Sequence, residues 1–114
     1  MEITRKEVSE LLKTLGIPAS TLGYKYITEA VMLISEGREE YRRITKTLYP
    51  KIAKACNVTV TSVERAISHA VEVSFSRMEQ EVIEDIFGSA YSYEKGKPTN
   101  KEFLWACVLY LENQ

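Results

Sequence analysis

Apolar residues recur every third or fourth position along nearly the whole chain, which is the period of a helix and not of a strand. Val8, Leu11, Leu12 and Leu15 set a first helix at about residues 5–15. Thr4-Arg5-Lys6-Glu7 reads as its capping box, with Ile3 and Val8 as a hydrophobic staple, and Gly16 and Pro18 as its stop. Tyr24, Ile27, Val31 and Ile34 predict a second helix from near Ser20 to about Glu36, ended by Gly37. Residues 38–49 allow a further turn or two. Pro50 must then kink the helix or start a new one. Lys51 to Cys56 continues as helix, and Asn57 is a natural turn residue because it tolerates left-handed backbone. The longest helix is expected at about 60–77. Val63, Ala66, Ile67, Ala70, Val71 and Ser74 lie on one face and Ser62, Arg65, Ser68, His69 and Glu72 on the other. A fifth helix is expected at about 79–87, capped by Gly88, and then a polar loop, 89–98. Thr99-Asn100-Lys101-Glu102 is a second capping box. It opens a last helix, Phe103 to Leu111, apolar nearly all round and so expected to be buried. The expectation is an all-α, compact six-helix domain, a single unit over 1–114.

The segment Ile52 to His69 has the layout of a helix-turn-helix. Two closely crossing helices need a small residue on the first, and Ala53 fits. The turn needs a residue that takes positive φ four positions later, and Asn57 fits. Val63 then anchors the second helix, with Val58 and Ile67 completing the shared core. Thr59 or Thr61 can cap that helix, and Thr61 with Glu64 would make a capping box. A helix so capped offers its positive end to a phosphate while its first turns reach base edges. Pattern alone leaves DNA binding and plain helical packing equally open.

Composition narrows the field. The chain has 114 residues, 45% hydrophobic and 27% charged, the balance of a soluble globular domain. No apolar run approaches the roughly 18 residues of a membrane span, and the first residues lack a signal peptide's apolar stretch. Cys56 and Cys107 read as packed, reduced thiols of a cytoplasmic protein. The net charge of −1 argues against a strongly basic nucleic-acid binder, but it hides an asymmetry. Residues 1–37 carry −1, residues 38–77 carry +4 and residues 78–114 carry −4. A positive middle third is an electrostatic footprint for an anionic partner, or else a set of ordinary solvated helix faces. An enzyme is not expected. The chain has no glycine-rich phosphate loop, its sole histidine cannot make a two-histidine metal site, and no cofactor or small-molecule substrate is called for.

Three stretches carry a family resemblance. They are Leu15 to Lys54 with its Leu48-Tyr49-Pro50-x-Ile52-Ala53 block, Val63-Glu64-Arg65-Ala66-Ile67-Ser68-His69-Ala70, and Phe87-Gly88 with Lys97 to Phe103. Together they resemble the effector domain of stage-zero sporulation protein A, a response-regulator family that controls endospore formation. The resemblance spans nearly the whole chain. It implies a six-helix DNA-binding domain that sits on short boxes of double-stranded DNA as head-to-tail pairs, with the helix at about 60–77 in the major groove. It also implies a transcription regulator that is cytoplasmic and nucleoid-associated, with no membrane role.

Residue by residue, the resemblance places Glu64, Arg65 and His69 on the recognition helix. The chemistry of Arg65 agrees, since a guanidinium reads guanine O6 and N7 with two hydrogen bonds. Glu64 either accepts from a cytosine amino group or caps the helix. Ser62 and Ser68 are the remaining expected base readers, at groove-facing positions where better known members carry arginine, usually in the case of Ser62. The loss of two such cations should flatten the salt slope by roughly two units, at about −0.9 per phosphate contact. Thr61, His69, Lys46, Lys51, Lys54 and Lys97 are the expected phosphate or positioning contacts. These 114 residues do not include the family's phosphoacceptor receiver, so they read as an excised effector domain or a stand-alone paralogue. A second reading keeps the fold but gives up strong DNA binding, leaving a protein-interaction module that modulates a full-length regulator.

Overall fold

Capping chemistry sets the ends of the first helix, α1 (Arg5–Thr14). In the computed structural model, which describes residues 2–114, Thr4 Oγ1 accepts from the Glu7 amide at 3.2 Å. The Glu7 carboxylate accepts in return from the Thr4 amide at 2.9 Å, closing the expected box. Gly16 ends α1 at φ +75°, a conformation that disfavours any Cβ. Its amide donates to the Lys13 carbonyl and that of Ile17 to the Leu12 carbonyl, both at 3.0 Å. This is a Schellman turn, and the buried Leu12 and Ile17 are the apolar pair such turns bring inward.

Helix α2 (Leu22–Glu36) is capped by Thr21, whose Oγ1 accepts from the Tyr24 amide. It buries Tyr26, Ile27, Ala30, Val31 and Ile34 and forms the hub of the fold, with helices from both ends of the chain packed around it. Gly23 sets its closest crossing. A Cβ there would lie 2.7 Å from the Ala66 carbonyl oxygen and 2.8 Å from the Ala70 Cβ.

Pro50 shapes the segment between α2 and the helix-turn-helix. A proline inside an α-helix lacks one amide and clashes with the carbonyl four residues back. The chain avoids that clash by widening into a π-helical turn, Ile44–Leu48, in which the Tyr49 amide reaches back five residues to the Ile44 carbonyl. Pro50 then falls in the first turn of α3 (Tyr49–Cys56), where no amide is needed. Helix α4 (Val60–Arg77) is as long as its periodicity predicts.

Helix α5 (Gln80–Phe87) ends at Gly88, and α6 (Asn100–Glu112) opens on the expected box between Thr99 and Glu102. Phe75 of α4, Phe87 of α5 and Phe103 of α6 pack in sequence with ring centroids 5.2 Å apart, the first pair tilted and the second stacked, fastening the C-terminal helices to α4. Two expectations need correction. Helix α6 buries Phe103, Leu104, Cys107, Val108 and Leu111, but Leu109 is 47% exposed, so the helix is covered on one side only. Val58 is 37% exposed and does not complete the helix-turn-helix core.

Candidate nucleic-acid interface

The turn between α3 and α4 is built by one left-handed residue. Asn57 sits at φ +55°, ψ +49°. Its amide donates to the Lys54 carbonyl, and the next amide, of Val58, donates to the Ala53 carbonyl at 2.9 Å. That is again a Schellman turn. It consumes the Ala53 and Lys54 carbonyls of α3 and leaves Val58, one residue beyond the turn, at the surface. Ala53, Val63 and Ile67 are buried at the crossing, as helices in close contact require.

Thr59 starts α4. Its Oγ1 accepts from the Ser62 amide at 3.0 Å and its hydroxyl donates to Ser62 Oγ at 2.9 Å. The expected Thr61–Glu64 box does not form. Thr61 already lies inside the first turn, and the cap two residues earlier faces a serine, not a glutamate, at the third helical position. Thr61 and Glu64 are therefore left exposed, with their side chains uncommitted to capping.

The outward ridge of α4 carries Thr61, Ser62, Glu64, Arg65, Ser68, His69 and Glu72, all exposed. Among the described residues none of the ion pairs involves Arg65, so its guanidinium is free to leave the surface. Ser62 is tied into the cap. Ser68 Oγ accepts from Asn100 Nδ2 at 3.0 Å. His69 borders a groove of about 170 Å³ with Ile17, Pro18, Thr21 and Ala66, where the start of α2 meets α4.

The cations of the middle third divide into two groups. Arg38 pairs with Glu112 and lies 5.7 Å from the Trp105 ring centre, Arg42 pairs with Glu39 at 3.6 Å, and Arg77 donates to the Gly16 carbonyl. Arg43, Lys46, Lys51 and Lys54, like Arg65, are exposed, and none of the ion pairs among the described residues involves them; Arg43 precedes the π-helical turn, Lys46 lies on it and Lys51 and Lys54 lie on α3. Lys97 comes from the loop before α6. It approaches Glu72 at 3.9 Å and the Tyr93 ring at 5.9 Å, so its charge is partly answered by the end of the ridge it flanks.

One residue in this region makes contacts that its sequence context, a helix start, does not signal. Asn100, the first residue of α6, donates from Nδ2 to Tyr49 Oη (3.1 Å), Ser68 Oγ (3.0 Å) and the Glu64 carbonyl (3.4 Å). Burial pushes the Tyr49 hydroxyl above its ordinary value, partly offset by this hydrogen bond, so it stays a neutral phenol. These partners are 51, 32 and 36 residues away in the chain, beyond any local pattern.

The family model described as "Sporulation initiation factor Spo0A C terminal" matches residues 8–111. The chain belongs to that family. The matched span takes in all of α2 to α5, the helix-turn-helix, most of α1 and nearly all of α6. The family is the DNA-binding effector domain of a sporulation transcription regulator, not an enzyme family, and membership supports a DNA-binding role. Among the described residues no helix is long and apolar enough to cross a membrane, and no group of three or more His, Cys, Asp or Glu is placed to hold a metal ion.

Proposed function

We propose that this domain binds double-stranded DNA sequence-specifically and regulates transcription, with α4 in the major groove and Arg65 as the principal base reader. The observation that carries the reading is an exposed, unpaired guanidinium one turn inside a well-capped helix, on the second helix of a helix-turn-helix. Glu64 and Ser62 flank it and contact neighbouring bases. Ser68 lines the same ridge. Thr61 and His69 face phosphates on either side, with Lys46, Lys51, Lys54 and Lys97 positioning the backbone. Two copies bind head to tail on adjacent boxes. Such a protein works where the chromosome lies, in the cytoplasm.

A fluorescence-anisotropy titration tests this reading, comparing a family box with a scrambled duplex over a range of salt. Four lysine–phosphate contacts, Lys46, Lys51, Lys54 and Lys97, predict a slope of log affinity on log salt of about −3.6, at about −0.9 per contact. The box should bind at least tenfold more tightly than the scrambled duplex. Equal, weak affinity for both would favour the protein-interaction reading instead.

A further inference from the structure

We infer that Asn100 is a positioning residue for DNA recognition, its side-chain amide locking the base-reading turn of α4 to the body of the domain. The inference rests on the proposed DNA-binding function and deepens it. One amide nitrogen serves three acceptors on two other helices, Tyr49 Oη on α3 and Ser68 Oγ and the Glu64 carbonyl on α4. The Glu64 carbonyl can only accept, which fixes which end of the amide faces α4. The two hydrogens of Nδ2 are thus spread over three acceptors, two of which, at Glu64 and Ser68, sit one helical turn apart.

The anchor itself is rigid on both sides. Asn100 lies within the Thr99–Glu102 capping box, which holds the start of α6. Tyr49 is buried to 1% exposure directly behind the π-helical turn. On α4 the contact lands at Glu64, immediately before Arg65. Elsewhere this half of α4 is held by the packing of Val63 and Ile67 and by the close approach of Gly23 to Ala66, which set the face it buries and its distance from α2 but leave the small play of van der Waals contacts. A hydrogen bond adds direction. The Asn100 contacts therefore narrow the remaining roll of α4 about its axis and with it the direction in which Arg65 leaves the surface. Ser68 enters recognition the same way. Its hydroxyl oxygen is held by Asn100, so it stiffens the ridge at a position where an arginine would reach outward.

The experiment measures matched-box and scrambled-duplex affinities for the wild type, Asn100→Ala, Tyr49→Phe, Arg65→Ala and the Asn100→Ala/Arg65→Ala double variant. Thermal denaturation first establishes that each is folded at the assay temperature. Loss of a neutral hydrogen bond of ordinary strength predicts that Asn100→Ala weakens the matched box about threefold to tenfold. Scrambled affinity and salt slope should stay unchanged. The penalty of Arg65→Ala should shrink in the Asn100→Ala background, because a misdirected guanidinium has less to lose. Tyr49→Phe, whose missing hydroxyl is buried and cannot touch DNA, should move the matched box the same way by a smaller factor, and it decides the matter alone if Asn100→Ala does not fold.

Penalties that simply add, equal losses on both duplexes, or an unchanged matched affinity for both Asn100→Ala and Tyr49→Phe would overturn the positioning role while leaving the DNA reading intact. An Arg65→Ala variant that binds both duplexes like the wild type would sink the DNA reading, and the positioning role with it.

Discussion

Replacing Gly23 with alanine distinguishes two opposed effects by sign. In an unobstructed helix, glycine to alanine stabilises by roughly 0.5–1 kcal/mol, because alanine loses less backbone entropy on folding. At position 23 the added carbon would meet the Ala66 carbonyl oxygen at 2.7 Å and the Ala70 Cβ at 2.8 Å. Neither neighbour is the end of a flexible side chain, so α2 and α4 must separate. Overpacking of this kind destabilises by about 1–3 kcal/mol. The net expectation is a loss of about 1–2 kcal/mol, or roughly 5–10 °C in melting temperature for a domain of this size. Far-UV circular dichroism during heating, with a urea titration alongside, measures it. A variant as stable as the wild type, or more so, would refute the claim that the α2–α4 crossing depends on the missing side chain.

Further substitutions test other contacts of the domain. Thr59→Ala should cost about 1 kcal/mol through the lost cap on α4, whereas Thr61→Ala should stay within about 0.5 kcal/mol of wild type; urea midpoints separate the two. Arg5 holds both Glu29 carboxylate oxygens, at 2.7 and 3.1 Å, and this hydrogen-bonded pairing lowers the Glu29 pKa below its ordinary 4.5. Its contribution is therefore present above that ordinary value and lost as pH falls through the lowered one, so Glu29→Gln should flatten the acid limb of a melting-temperature profile. Burial pushes the Cys107 thiol up to about 12, and the side chain is fully enclosed. A maleimide should modify the half-buried Cys56 first and reach Cys107 only on unfolding, which mass spectrometry of timed samples would show.

Local chemistry made most of the fold legible. Thr4, Thr99, Gly16 and Asn57 each act within four residues of themselves, and each does what its spacing predicts. The misreadings have longer-range causes. Thr59 and Thr61 both have capping chemistry, and only the place where the Asn57 turn ends chooses between them. Val58 has the hydrophobicity of a core residue, but its place one residue after a left-handed turn directs it outward. Pro50 announced a break without announcing a π-helical turn as the remedy. Helix α6 is apolar on more faces than it buries, because one side has no helix packed against it.

The site divides in the same way. The exposed ridge with Arg65 follows from the period of α4, since its complement is the apolar stripe from Val63 to Ser74. Which cations are free does not follow, because the partners of Arg38 and Lys97 come from distant segments. Asn100 is the extreme case. Its sequence context advertises a helix start, and its contacts with Tyr49, Glu64 and Ser68 exist only once three helices have packed.

The discrimination supplied by Arg65 is the most direct test of DNA reading by α4, measured as the ratio of matched-box to scrambled-duplex affinity before and after Arg65→Ala. A bidentate contact to guanine predicts that the variant loses about 1–3 kcal/mol on the matched box and little on the scrambled duplex, while its melting temperature holds. An unchanged ratio in a folded variant would contradict the assignment of α4 as the helix that reads DNA.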